Sequence, residues 1–134
     1  MKIACLGGGP AGLYFAISMK LRDASHDITV IERNRADDTF GWGVVLSDET
    51  LANLKNNDPV SAEAIQKFFA YWDDIALVHR GERLVSSGHG FCGIGRRKLL
   101  ELLQERAVAL GVKLEFETEI DDICLLYTSD AADE

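Results

Sequence analysis

The first 32 residues contain two short apolar runs, with a glycine-rich turn directly after the first. Residues 2–6 form an apolar run that predicts a buried strand, and the glycine-rich turn follows at once. Over residues 11–21, apolar side chains such as Leu13 and Ile17 recur at helical spacing. Residues 28–31 are a second apolar run, so the pattern predicts a strand, a turn, a helix and a strand in that order.

A less regular stretch follows the second predicted strand. The apolar run 44–46 predicts a strand, and Ser47 or Asp48 predicts the cap of a helix after it. Ser61 predicts the cap of a further helix that continues to about Ala70. The chain therefore departs here from a plain succession of parallel strands and helices.

A β-hairpin and a glycine-rich loop are predicted in the second half of this stretch. The apolar runs 75–78 and 83–85 flank Gly81, which suits the turn of a hairpin. Residues 88–95 contain several glycines and predict a loop.

The last predicted elements are again a helix and a strand. Residues 96–110 carry an apolar stripe at helical spacing, Gly111 is a natural stop for this helix, and residues 112–116 predict a third strand of the main sheet. This order predicts the α/β fold class, with a Rossmann-like parallel sheet that is incomplete and carries an inserted β-hairpin. The stripe consists of Leu99, Leu102, Leu103, Ala107 and Leu110.

The glycine-rich turn has the spacing of a dinucleotide-binding fingerprint. Gly7, Gly9 and Gly12 stand at its first, third and sixth places, and Glu32 ends the second strand about 20 residues further on. Gly7 suits the tight turn, Gly9 lets the backbone approach a pyrophosphate, and Gly12 lets the helix lie close to the sheet. Pro10 suits the first helical turn, whose free N–H groups attract phosphates.

The acid at the end of the second strand predicts which dinucleotide is bound. Glu32 would accept hydrogen bonds from a ribose diol and repel a 2′-phosphate. We therefore expect FAD or NAD rather than NADP at this site. The alternative is a glycine turn between strand and helix that binds no ligand.

Composition and charge narrow the classes of partner. A length of 134 residues suits one domain, and a net charge of -8 argues against nucleic acid or an anionic membrane as a partner. No apolar run approaches the roughly 18 residues of a membrane span. Cys5 and Cys92 show no metal-ligand spacing, so we expect no metal site and a reducing, cytoplasmic setting.

The histidines do not suggest a separate acid–base apparatus. His26 precedes the second strand and is expected at the surface, whereas His79 ends a hairpin strand and is expected to be structural. His89, in the glycine-rich stretch, is the one histidine that we consider for a place near a substrate. Cys92 is expected to be a small buried side chain rather than a reactive thiol.

Several motifs resemble the N-terminal part of the class A flavoprotein monooxygenases, the family of the aromatic-ring hydroxylases. The motif at residues 7–13, the pair Glu32-Arg33 and the Arg-x-x-Leu-x-x-x-Leu pattern that begins at Arg96 match this family. The strings at residues 38–45 and 88–96 resemble more specifically the salicylyl-CoA 5-hydroxylase group. The resemblance extends to about residue 122.

This resemblance implies FAD as the bound cofactor and NADH or NADPH as the electron donor. It also implies a reaction in which reduced FAD and O2 hydroxylate a small aromatic substrate, with an aromatic acyl-CoA indicated by the subgroup. No catalytic residue is assigned, and the oligomeric state is not predicted. The implied cofactor-binding residues are Gly7, Gly9, Pro10, Ala11, Gly12, Glu32, Arg33, Trp42, Gly43, Val44 and Arg96.

Three of these residues also have other interpretations. Arg96 reaches the cofactor in the family, but it is otherwise a solvated arginine in the first turn of a helix. Arg33 would lie over the adenine side of the cofactor or pair with nearby acids. Trp42 would border the flavin ring or act as a hydrophobic anchor.

The end of the chain differs in character from the rest. Residues 124–134 resemble the translation of a sequencing-library adapter, and the alternative is an ordinary polar C-terminus. We expect the native part of this chain to stop near Ile123, and residues 1–123 to be the N-terminal part of an FAD-binding domain in a longer protein. The later flavin motifs of the family are not found in the chain, so we expect this fragment alone to be inactive. The alternatives are another FAD oxidoreductase, such as an oxidase or reductase, or a small non-catalytic nucleotide-binding module.

Overall fold

The computed structural model describes residues 1–122 of the chain, and the predicted tail lies outside them. The described residues form eight strands and four helices. In chain order these are β1 (Lys2–Leu6), α1 (Pro10–Arg22), β2 (Asp27–Ile31), β3 (Gly43–Ser47), α2 (Asp48–Asn57), α3 (Pro59–Gln66), β4 (Ala70–Trp72), β5 (Ile75–His79), β6 (Glu82–Ser86), β7 (Phe91–Gly95), α4 (Arg96–Ala109) and β8 (Lys113–Glu115).

The described chain divides into two compact units. The first consists of residues 1–38 together with the described residues from Leu103 onward, and the second consists of residues 39–102. Helix α4 begins in the second unit and ends in the first. Within residues 1–122, no helix has both the length and the apolar character that crossing a membrane requires.

A three-stranded parallel sheet forms the centre of the first unit. Its order is β1-β2-β8, with Cys5 opposite Val30 and Val30 opposite Leu114. The predicted α/β class and the third parallel strand are therefore confirmed. The buried core of this unit consists of Leu13, Ala16, Ile17, Ile28, Val30, Ile31, Leu103, Ala107 and Val112.

Helix α1 begins and ends where its sequence signals predict. Pro10 occupies the first helical turn, where its missing N–H costs no hydrogen bond. Lys20 and Arg22 lie in the last turn, where positive charge interacts favourably with the helix dipole. The backbone N–H of Asp23 donates to the carbonyl of Met19 and closes the helix.

An antiparallel sheet of order β3-β7-β4 forms the centre of the second unit. Gly43 of β3 lies opposite Gly95 of β7, and Trp72 of β4 lies opposite Phe91 of β7. The predicted loop over residues 88–95 is therefore wrong for its second half, which is the central strand of this sheet.

Close packing explains one glycine of the central strand and one of its neighbour β3. A Cβ on Gly93 would lie 3.0 Å from the ring of Trp72, and one on Gly43 would lie 2.9 Å from the carbonyl oxygen of Ile94. The alternating buried residues Cys92 and Ile94 supply the apolar face of the strand. Crowding between strands therefore accounts for Gly93 and Gly43, whereas a Cβ on Gly95 would meet no atom within 4 Å.

Helix α3 is shorter than predicted and begins earlier. Pro59 occupies its first turn and Asp58 is the N-cap, whereas Ser61 lies inside the helix and donates its hydroxyl hydrogen bond to the Asp58 carboxylate. The helix ends at Gln66, and residue 70 already belongs to β4. The prolyl ring, with its fixed backbone angle, decides the start of the helix.

The predicted hairpin is confirmed as β5 and β6. Its two-residue turn has positive φ at both central positions, 49° at Arg80 and 83° at Gly81. This geometry matches the right-handed twist of the two strands. All residues of both strands are exposed in the described chain.

The prediction that His26 lies at the surface is wrong. The residue is 8% exposed, and its Nδ1 lies 3.4 Å from the amino group of Met1 and 3.7 Å from the carboxylate of Asp23. It is buried because the start of β2 pairs with the start of β1, which places the N-terminus beside its ring.

Candidate functional site

The fingerprint residues of the first unit lie at one edge of the parallel sheet. Gly7 follows β1 and Glu32 follows β2, and the N–H of Gly7 donates to the carbonyl of Ile31 at 2.8 Å. Neighbouring parallel strands end at the same edge, which is where open α/β sheets bind their ligands. The structure therefore brings together the two ends of the predicted dinucleotide motif.

Backbone geometry explains the first and last glycines of the turn. Gly7 has a φ of 106°, a value that side-chain-bearing residues rarely adopt. A Cβ on Gly12 would lie 2.0 Å from the carbonyl oxygen of Gly7 and 3.4 Å from Sγ of Cys5. Helix α1 can therefore approach strand β1 only with glycine at position 12.

Gly9 differs from both, because the protein itself does not require a glycine there. Its φ of -73° and ψ of 177° suit any residue, and a Cβ would meet no atom within 4 Å. Gly9 is also the N-cap of α1, and no side chain caps this helix end. The space beside Gly9 is therefore open, and the first N–H groups of α1 have no partner within the helix.

The carboxylate of Glu32 is held by three hydrogen bonds. Oε2 accepts from the N–H of Gly8 at 2.8 Å, and Oε1 accepts from the N–H and the side-chain Nδ2 of Asn34 at 2.8 and 2.7 Å. No motif in the sequence indicates a role for Gly8 or Asn34 in holding this acid. A Cβ on Gly8 would lie 2.9 Å from Cβ of Glu32, so this glycine is needed for the turn to meet the acid.

These hydrogen bonds keep Glu32 ionised. Partial burial by itself raises the pKa of the Glu32 carboxyl, but the hydrogen bonds from Asn34 and Gly8, with the nearby charge of Arg33, lower this pKa below its ordinary value. The site therefore presents a negative charge and hydrogen-bond acceptors at neutral pH.

A cavity of about 230 Å³ opens beside Glu32. Arg33 forms one wall and pairs with Glu119 at 3.9 Å, with both side chains largely exposed. Both interpretations of Arg33 therefore remain compatible with its position. The segment after β8 forms another wall of the cavity, and the sequence did not predict it because no local motif marks that segment. The lining residues are Leu6, Gly7, Ile31, Glu32, Arg33, Thr118, Glu119 and Ile120.

The second group of candidate residues lies in the second unit. The N–H of Arg96 donates to the carbonyl of Trp42 at 3.2 Å, and Val44 pairs with Ile94 beside them. The side chain of Trp42 is 98% exposed, so it does not anchor an apolar core in the described chain. Nε of Arg96 is buried and has no hydrogen-bond partner among the described residues.

The remaining chemistry-bearing side chains have structural contacts. His89 stacks on Phe91 with ring centroids 5.5 Å apart, and its Nε2 lies 2.7 Å from the hydroxyl of Ser86. Cys92 is fully buried in β7, and burial raises the pKa of its thiol. A buried, protonated thiol is a packing group rather than a nucleophile.

Three curated proteins are similar to almost the whole chain. The salicyloyl-CoA 5-hydroxylase of a Streptomyces species is 46% identical over 98% of this chain and 27% of its own length. The protodeoxyviolaceinate monooxygenase of Chromobacterium violaceum is 34% identical over 90% of this chain and 32% of its own. The 3-hydroxy-4-methyl-anthranilyl-[aryl-carrier protein] 5-monooxygenase of Streptosporangium sibiricum is 31% identical over 98% of this chain and 38% of its own.

Solved structures share the fold. A tetrameric 2-methyl-3-hydroxypyridine-5-carboxylic acid oxygenase matches with a TM-score of 0.76 and 23% identity over 88% of this chain and 32% of that chain. CtdE in complex with FAD and a substrate matches with a TM-score of 0.73 and 16% identity over 91% of this chain and 31% of that chain. At these identities the structures establish the fold alone.

The three sequence relatives agree in class and in the extent of the match. No protein-family model matches the chain. The chain spans about a third of the length of its curated relatives, and the predicted resemblance to aromatic-ring hydroxylases is confirmed by all three. The chain is therefore homologous to the N-terminal portion of class A FAD-dependent aromatic monooxygenases.

Proposed function

We propose that this chain binds FAD, with the pyrophosphate at the turn formed by Gly7, Gly9, Pro10, Ala11 and Gly12 and the adenosine ribose at Glu32. The observation that carries the proposal is the open space at Gly9. Neither the backbone angles nor the packing requires a glycine at that position, so a ligand that approaches the backbone accounts for it.

The surroundings of Gly9 suit a diphosphate. The N-terminus of α1 has no side-chain cap, and its N–H groups together with the helix dipole attract anions. The ionised carboxylate of Glu32 supports a ribose on the other side of the turn, because a carboxylate accepts hydroxyl hydrogen bonds. The cavity beside Glu32 and Arg33 offers room for the adenosine half of the cofactor.

The second unit supplies the residues proposed for the flavin half. The buried Nε of Arg96 lacks a partner in the described chain, and buried polar atoms without partners are rare. We assign this atom, with the exposed Trp42 and the backbone of Gly43 and Val44, to contacts with the cofactor. A partner from FAD would satisfy the Arg96 donor.

We propose that the whole protein hydroxylates an aromatic substrate, specifically an aromatic acyl-CoA, with O2 and with NADH or NADPH as the electron donor. The 46% identity to a salicyloyl-CoA 5-hydroxylase supports this substrate class. Bound FAD supplies the redox chemistry, and the residues described above hold and orient it.

Substitution of Gly9 separates ligand binding from stability. Serine is a better helix N-cap than glycine, and alanine is a worse one, so Gly9→Ser should raise the stability of the chain by a few tenths of a kcal/mol and Gly9→Ala should lower it by about 0.5 kcal/mol. Both variants place atoms where the pyrophosphate would lie, so both should weaken FAD binding at least tenfold. Urea denaturation gives the stability, and quenching of flavin fluorescence during titration gives the affinity.

The two variants control for each other because their stability effects have opposite signs. A stabilised Gly9→Ser chain that has lost FAD binding would support the proposed pyrophosphate site. Unchanged FAD affinity in both variants, or no binding of FAD by the unsubstituted chain, would overturn the proposal.

A further inference from the structure

Asn34 makes two of the three hydrogen bonds that hold the Glu32 carboxylate. Its backbone N–H donates to Oε1 at 2.8 Å, and its side-chain Nδ2 donates to the same oxygen at 2.7 Å. The third bond, from the N–H of Gly8, goes to Oε2 at 2.8 Å. Oε1 therefore accepts two of these hydrogen bonds, and Oε2 accepts one.

The hydrogen bonds from Asn34 and Gly8 occupy most of the acceptor positions of the Glu32 carboxylate. An ionised carboxylate offers about four lone-pair positions, two on each oxygen. Asn34 occupies both positions on Oε1 of Glu32, and Gly8 occupies one on Oε2. One acceptor position, on Oε2, is left for an incoming hydroxyl.

We propose that Asn34 is a positioning residue that holds Oε1 of Glu32, so that the carboxylate accepts a single ribose hydroxyl of the dinucleotide through Oε2. This inference rests on the proposed binding of FAD. It goes beyond it by naming the residue that orients the acid and by limiting the acid to one of the two hydroxyls.

The charge of Arg33 also lowers the pKa of the Glu32 carboxyl, but by less than the hydrogen bonds of Asn34 and Gly8 do. Arg33 lies next in sequence and pairs with Glu119. The segment that faces Glu32 also carries Glu115 and Glu117, and the carbonyl of Glu115 accepts the Glu32 backbone N–H at 2.8 Å. Asn34 lowers the pKa of the Glu32 carboxyl through both its backbone and its side-chain hydrogen bond.

The first test follows the Glu32 carboxyl in the full chain without any nucleotide, by NMR titration. Asn34→Ala removes one of the two donors and should raise the pKa of Glu32. Asn34→Asp keeps the shape but places a negative charge beside Oε1, so it should raise that pKa further. Asn56→Ala, an exposed asparagine on α2, is the matched control and should leave the pKa unchanged.

The second test measures FAD affinity in the same chains. Asn34→Ala should weaken binding about three- to tenfold, as expected for the loss of one hydrogen bond, and Asn34→Asp should weaken it more. A role of Asn34 in packing alone would leave the isosteric aspartate variant close to the unsubstituted chain. The rank order therefore separates orientation of Glu32 from simple support of the loop.

Deoxynucleotides test directly whether Glu32 accepts only one ribose hydroxyl. Against ADP as the reference probe, either 2′-deoxy-ADP or 3′-deoxy-ADP should bind several-fold more weakly, and the other should bind as ADP does. Equal losses for both analogues would overturn the proposal, because they would show that Oε1 is also available. An unchanged Glu32 pKa in Asn34→Ala would overturn it even if the chain binds no FAD, whereas a raised pKa without FAD binding would contradict the proposed function alone.

Discussion

At the scale of single residues, the glycines of the first turn differ in what they tolerate. Gly12 is confined by the protein, because a Cβ there would overlap the carbonyl oxygen of Gly7 at 2.0 Å. A Cβ at Gly9 would meet no atom of the described chain within 4 Å. The same residue type at two places in one motif therefore serves packing in one case and, in our proposal, a ligand in the other.

Gly12→Ala should destabilise the chain by about 1–3 kcal/mol, as overpacking of a tight contact does. The turn would have to move away from α1 to relieve the overlap. The measurement is the urea midpoint, with Gly9→Ala as the matched control because it adds the same methyl group in open space. A Gly12→Ala chain as stable as the Gly9→Ala chain would contradict the packing role.

At the scale of elements, α1 and α3 begin with a proline in the first turn, and α2 begins after a capping serine. Ser47 is the N-cap of α2, and its hydroxyl accepts the N–H of Thr50 at 3.3 Å. Asp48 and Glu49 add negative charge in the first turn, which the helix dipole favours. No residue of α2 is buried, so its stability depends more on this cap than on packing.

Ser47→Ala should lower the stability of the chain by about 1 kcal/mol, because the first turn loses its side-chain acceptor. Hydrogen exchange should accelerate most in the first turn of α2. Ser87→Ala, an exposed serine outside the helices, is the control and should have almost no effect. Equal protection of α2 in both variants would argue against the cap.

At the scale of the whole molecule, three carboxyl groups of the first unit have pKa values in the folded chain that lie below their ordinary values. Hydrogen bonds from Ser25 lower the pKa of Asp23, and the hydrogen bond and charge of Lys113 lower that of Asp27. The pKa of Glu32 is also below its ordinary value, because its hydrogen bonds outweigh the effect of burial. The unfolded chain therefore binds more protons than the folded chain in mild acid.

Stability should therefore increase with pH across the range in which these groups titrate. Their contribution is complete above about pH 5 and is lost as the pH falls through the lower folded-state values. The thermal midpoint measured from pH 7 to pH 3 should fall at the acid end, and Glu32→Gln should make that fall shallower. A midpoint that is constant down to pH 3 would be inconsistent with these pKa shifts.

Local patterns in the sequence were sufficient to predict the β-α-β unit and the acid that ends it. The apolar periodicity of residues 11–21 and the proline at position 10 act within a few residues, so they determine α1 without reference to the rest of the chain. The hairpin turn at Gly81 is local in the same sense. The motifs that indicated the family are also short contiguous strings.

Only the tertiary structure decided the features that depend on residues distant in sequence. Phe91–Gly95 is a strand because β3 and β4 pair with it on either side, and a glycine-rich string does not reveal these distant partners. Thr118–Ile120 lines the cavity because β8 pairs with β2. The sequence did not indicate Asn34, because its role depends on two N–H donors that both point at Oε1 of Glu32. The order of residue types does not specify that direction.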